Sequence, residues 1–218
     1  MNSSNTLSKH ARWMKLGMQA YLFPGYKRFR KKVIELSEIT PSSVVLDFGC
    51  GVGLLEEYLK GQLNITNGKI TGADAGEELI KIAKTGFADD KRFEFVVIDK
   101  CGNLPFPNNK FDIIISNLVF HLLNREQKEK VLKEFKRILK PEGHILLAEI
   151  GKPEGIFGYW IKFLTLKLWA RIWPYEVNSI DSFNGLLHGF IYSAGFTTVR
   201  TICKMKGYID FIYIKQKD

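Results

Sequence analysis

Short apolar runs alternate with helix-period segments along most of this chain. The runs at 44–46, 69–74, 93–98, 111–117 and 144–150 have strand length and are rich in Val, Ile and Phe. Between the last two, Val131, Leu132, Phe135, Ile138 and Leu139 recur at helical spacing, which predicts a helix over 131–139. Lys140-Pro141-Glu142-Gly143 then reads as a turn that stops the helix. Strand–helix alternation of this kind builds a mainly parallel sheet covered by helices. Near the end, Lys206-Gly207-Tyr208 separates two further strand-like runs and predicts a closing hairpin.

Punctuation after the first run carries the most chemistry. Asp47 ends the strand, and Gly49, Gly51 and Gly53 follow at alternate positions before a helix that starts near Leu54. Glycines let the backbone turn sharply and come close to a ligand. The N–H groups of the new helix point back into that turn. A dinucleotide pyrophosphate would be repelled by Asp47, and the third small residue of a dinucleotide fingerprint would fall at Leu54. A cofactor with a cationic amino-acid end fits better. Cys50 inside the turn reads as a small residue, not a nucleophile. Asp74 closes the second strand, 21 positions after Gly53, where a carboxylate can accept ribose hydroxyls. Asp99 closes the third strand and can accept from an adenine amino group.

The turn resembles motif I of the class I S-adenosylmethionine-dependent methyltransferases. The resemblance continues through Leu104-Pro105-Phe106-Pro107, through Phe111-Asp112 opening a β-branched strand, and through Leu118-Val119-Phe120-His121. The Leu-Lys-Pro-Glu-Gly segment at 139–143 belongs to it too. Within that class these features are closest to the ubiquinone/menaquinone-biosynthesis type. Residues 40–150 match closely, and 183–214 more loosely.

The resemblance implies one domain with a Rossmann-like seven-stranded sheet. The sheet is mostly parallel, with helices on both faces and an antiparallel C-terminal strand. Residues 1–40 form a basic, aromatic N-terminal helical cap, and 41–150 the cofactor core. Residues 151–182 form an inserted lid, and 183–218 a helix and closing strands. It implies S-adenosylmethionine as cofactor, with S-adenosylhomocysteine as product. Cofactor contacts fall to Asp47, Gly49, Cys50, Gly51, Gly53, Asp74, Ala75, Asp99, Lys100 and Asn117. His121 is the candidate base or acceptor contact, and a backbone-positioning histidine is the other reading. Tyr21, Tyr26, Trp160 and Trp169 are substrate-side candidates.

Charge changes the picture at the flanks. The formal net charge is +9. Residues 1–40 carry 8 Lys/Arg against 2 Asp/Glu, and 151–218 carry 9 against 5. An anionic partner such as a membrane surface is therefore a candidate. Segment 156–173 is apolar nearly all round and holds three Trp, so it should be covered by protein, a lipophilic substrate or a membrane interface. The acceptor implied is small and lipophilic, quinone-like or lipid. A soluble natural product or a thiol is the alternative, and a non-catalytic cofactor- or RNA-binding relative is the reading from another class. The Asn-Pro-Pro-Tyr motif of amide and nucleobase methylation is absent from the sequence, which disfavours nucleic acid. Three scattered cysteines give no metal-ligand spacing and fit a reduced, cytoplasmic setting, with peripheral membrane attachment as a variant.

Overall fold

The computed structural model describes residues 25–62, 67–99, 103–164 and 179–216. Its seven strands form one sheet in the order β3-β2-β1-β4-β5-β7-β6. They are β1 Val44–Phe48, β2 Lys69–Asp74, β3 Phe93–Val97, β4 Phe111–Asn117, β5 Leu139–Ile150, β6 Thr198–Met205 and β7 Ile209–Lys215. The β1–β2, β2–β3 and β4–β5 pairs are parallel. Strand β7 runs antiparallel to both β5 and β6. The expected topology is present. The chain forms two compact units, Met1–Ile98 and Asp99–Asp218.

In the first unit, α1 (Tyr26–Ser37), α2 (Leu54–Gln62) and α3 (Glu77–Gly86) accompany β1 to β3. Helix α1 buries Phe29 and Val33, spaced four apart on one face. Phe87 packs on Phe93 and Phe95, with ring centroids 4.7 and 5.2 Å away. Burial of such side chains is the main favourable term in folding the unit.

In the second unit, α4 (Arg125–Ile138) precedes β5. Helix α4 begins six residues before the apolar period becomes visible. Its start is set by a capping box: Asn124 Oδ1 accepts from Gln127 N–H at 2.9 Å, and Gln127 Oε1 accepts from Asn124 N–H at 3.0 Å. Strand β5 starts at Leu139, not at His144. Leu139 pairs with Phe111, the register shifts, and His144 pairs with Ile113, so the expected turn at 140–143 is an irregularity inside the strand. The second unit also holds α5 (Gly155–Leu164), α6 (Ser179–Phe183) and α7 (Leu187–Ser193). The β6–β7 turn falls at Lys206-Gly207-Tyr208 as expected, with positive φ at Lys206 and Gly207.

Candidate active site

The glycine turn leaves β1 with Gly49, Gly51 and Gly53 all at positive φ. Two of them do different work. A Cβ on Gly51 would meet nothing within 4 Å, so open space lies beside the backbone there. A Cβ on Gly53 would lie 3.3–3.5 Å from Phe87, Ala83 and Phe95, so that glycine closes the turn onto the core. Gly49 N–H donates to Ala73 O at 2.7 Å and fixes the turn to β2. Asp74 then grips the turn: Oδ2 accepts from Gly51 N–H at 2.9 Å and Oδ1 from Gly76 N–H at 2.8 Å. Ala75 follows it, half-buried.

Beneath the turn the charge is not compensated. Asp47 is 3% exposed, and its Oδ1 has no hydrogen-bond partner. Glu56, in the first turn of α2, is wholly buried with both carboxyl oxygens unpartnered. Burial raises Asp47 to about 7, with Asp74 adding to the rise. Burial and the neighbouring Asp47 raise Glu56 as well. The Cys50 thiol is also pushed up by burial and by these acids, which keeps it protonated and inert. Tyr26, expected on the substrate side, is instead buried where Asp47, Glu57 and Glu56 act on it. Burial raises its phenol to about 12. The Arg30 guanidinium stacks 4.4 Å from the Tyr26 ring and donates to Leu54 O at 2.8 Å. Cradle and orphaned acceptors suit a ligand with an ammonium group and an adenosine. Asp47 could hold the amino-acid end of S-adenosylmethionine, and Asp74 its ribose.

A second set of groups lies at the carboxyl ends of β4 and β5. Asn117 ends β4 beside Ala148, and its Oδ1 is buried without a partner. Leu118 follows at φ +56°, a conformation that bulky residues adopt rarely. The chain then makes a short 3-10 turn, Phe120–Leu122. His121 Nδ1 lies 2.7 Å from Oε1 of Glu149. A carboxylate only accepts, so Nδ1–H is the donor of this bond. Glu149 is buried and held from two more sides, accepting Phe120 N–H at 2.6 Å and Ile150 N–H at 2.7 Å. Lys128 is buried nearby, and burial lowers its pKa against the pull of Asp181 and Glu149. Asp181 on α6 accepts from Arg125 at 2.9 and 3.0 Å and sits 3.8 Å from Lys128.

The remaining expected residues divide. Asp99 is described and exposed. Lys100, Tyr21 and Trp169 lie outside the described residues. Trp160 stands on α5, 59% exposed, against Phe163. Among the described residues, the protein itself leaves large apolar side chains of this helix exposed. Sequence reasoning missed Glu56, Glu149 and Lys128.

Residues 45–143 match a family described as a methyltransferase domain. Over these residues the chain is similar to class I S-adenosylmethionine-dependent methyltransferase domains. The chain is 34% identical to the ubiquinone/menaquinone biosynthesis C-methyltransferase of Ectopseudomonas mendocina over 131 residues, 59% of this chain and 48% of that protein. The chain thus spans about half the length of the curated relatives it matches. Among solved structures, a putative S-adenosyl-L-methionine-dependent methyltransferase from Methanococcus maripaludis superposes with a TM-score of 0.68. It is 21% identical, and the match covers 96% of this chain and 93% of that chain. Phosphoethanolamine N-methyltransferase 2 from Haemonchus contortus, solved with S-adenosyl-L-methionine, superposes with a TM-score of 0.62 at 14% identity. That match covers 86% of this chain and 51% of the other. These two likenesses speak to the fold.

Proposed function

We propose that this methyltransferase acts on a small lipophilic acceptor, quinone-like or lipid, whose nucleophilic atom arrives protonated. The observation that carries the reading is the His121–Glu149 pair at 2.7 Å. S-adenosylmethionine, when bound, supplies an electrophilic methyl group on its sulfonium. The chain's own part is to orient the acceptor and remove its proton. Orientation of reacting groups supplies roughly 7–11 kcal/mol of barrier reduction. A placed general base adds about 10²–10⁴-fold. Nε2 of His121 would take the acceptor's proton. Glu149, already holding Nδ1–H, would stabilise the imidazolium that results. A phenol, an enol or an acidic carbon needs such a base, whereas a neutral tertiary amine does not.

Similarity to the quinone-pathway C-methyltransferase supports a lipophilic acceptor. So does helix α5. It packs through small residues: a Cβ on Gly158 would collide with Gly207 O in the β6–β7 turn. Its apolar side chains face outward, with Ile156 82% exposed and Phe157, Tyr159, Trp160 and Phe163 all at least half exposed. Residues 151–173 hold four Lys/Arg and one Glu. Aromatic and basic groups together suit an anionic lipid interface. Among the described residues no helix is long and apolar enough to cross a membrane. The test is transfer of a labelled methyl group from S-adenosylmethionine into a total lipid extract and into a water-soluble metabolite fraction. Label in the lipid fraction supports this reading. Label only in the aqueous fraction contradicts it.

A further inference from the structure

Glu56 has no part in the chemistry above, yet it is the most anomalous charge in the first unit. An acid in the first turn of a helix ordinarily sits in solvent beside the helix dipole. This one is wholly buried, and neither oxygen has a partner. The sheet makes room for it. A Cβ on Gly72 would lie 2.8 Å from Glu56 Oε1 and 2.7 Å from the Phe95 ring. Gly72 is also the β2 residue directly across from Asp47. Asp47 and Glu56 are therefore neighbours in a dry space, and each acts on the other's titration. Two carboxylates cannot hydrogen-bond to each other, because neither has a hydrogen to donate. One proton held between them turns repulsion into an O–H···O bond.

We propose that Glu56 is a positioning residue for the cofactor's amino-acid end: it holds a proton against Asp47, and that proton is released when the cofactor's ammonium group arrives. The step balances simply. A carboxyl O–H bond breaks, the proton passes to water, and the pair gains one negative charge facing the ammonium. No electrons change hands. The inference rests on the S-adenosylmethionine assignment and adds to it a proton-linked affinity. Cofactor and demethylated product both carry the ammonium, so both should show it.

The other groups facing the pair do not supply this proton. Asp74, at the end of β2, accepts two backbone N–H groups. Burial and the acids push the Cys50 thiol up, and burial takes the Tyr26 phenol to about 12, so both keep their protons near neutrality. Arg30 acts on Tyr26 from α1 and donates to Leu54 O at 2.8 Å. Glu57 lies exposed on α2.

The test is titration calorimetry with S-adenosylhomocysteine and S-adenosylmethionine, in buffers of differing ionisation enthalpy, between about pH 5 and 8. Wild-type protein should release up to about one proton per ligand, with affinity tightening by as much as roughly tenfold per pH unit. Glu56→Gln can donate permanently to Asp47, so it should release none and bind with flat pH dependence. Equal release in Glu56→Gln, or none in wild type, overturns the proposal. Infrared difference spectra of wild type alone give an answer that no variant's folding affects. A protonated-carboxyl band should vanish on ligand binding, and its persistence would overturn the proposal too. Failure of wild type to bind either ligand would instead overturn the cofactor assignment, and this inference with it.

Discussion

Glu149 accepts the Nδ1–H of His121 at 2.7 Å while the same carboxylate accepts the backbone N–H of Phe120, the residue before that histidine. One side chain thus fixes both the ring and the turn that carries it. Glu149→Gln should keep an acceptor for Phe120 but lose the charge that stabilises an imidazolium. Turnover is expected to fall by about 10²-fold or more, with cofactor affinity within a few fold of wild type. Steady-state kinetics beside a direct binding measurement check this. An unchanged kcat would remove Glu149 from the account.

Asp74 and Gly51 should matter to cofactor affinity in different ways. Asp74→Ala removes a charged acceptor, typically ~1.5–3 kcal/mol, or roughly ten- to a hundredfold in affinity. Gly51→Ala meets no atom within 4 Å, so its direct cost is that of forcing φ +57° on a Cβ, about 1–2 kcal/mol. The new methyl group would stand in the space assigned to the ligand, so affinity should fall further than stability. Calorimetry and thermal melts separate the two. Unchanged affinity in Asp74→Ala would contradict the ribose assignment.

The buried acids give stability a definite pH dependence. Asp47 is raised to about 7 from an ordinary carboxylate value, and Glu56 is raised as well. Between about pH 4 and 7 the folded state then binds more protons than the unfolded chain, so stability falls as pH rises through that window. Glu56→Gln should relieve the cost. Its melting temperature should exceed that of wild type at about pH 8. The gain should vanish near pH 4. A gain independent of pH would mean that the effect is packing and not charge.

The main elements were legible because their signals are local. Asp47, the three glycines and the start of α2 at Leu54 follow from a strand, a turn and a helix in immediate succession. Strand β2 coincides with its apolar run. The residues that were missed depend on partners distant in sequence. Glu149 meets His121 because β4 and β5 pair with Asn117 beside Ala148, a register that no short window contains. Glu56 reads as a solvated helix-start acid until Gly72 is seen to admit it. The first turns of α4 are too polar for an apolar period, and Lys128 among them is buried against expectation. Tyr26 is a substrate-side expectation that follows from the resemblance, and its burial near Asp47 appears only in three dimensions.

Trp160 offers a test in which stability and attachment separate. It is more than half exposed, so Trp160→Ala should move stability by no more than about 0.5 kcal/mol. Co-sedimentation with anionic vesicles should nevertheless drop several-fold, and recovery with neutral vesicles should be low for both proteins. A large loss of stability would show that the tryptophan is packed against protein. Undiminished sedimentation would remove α5 from the interface.

His121 bears the central claim, so its removal tests the account most directly. Single-turnover transfer of a labelled methyl group to the acceptor should slow by roughly 10²–10⁴-fold in His121→Ala. The S-adenosylmethionine dissociation constant should stay within a few fold. Transfer at the wild-type rate by His121→Ala would contradict the account.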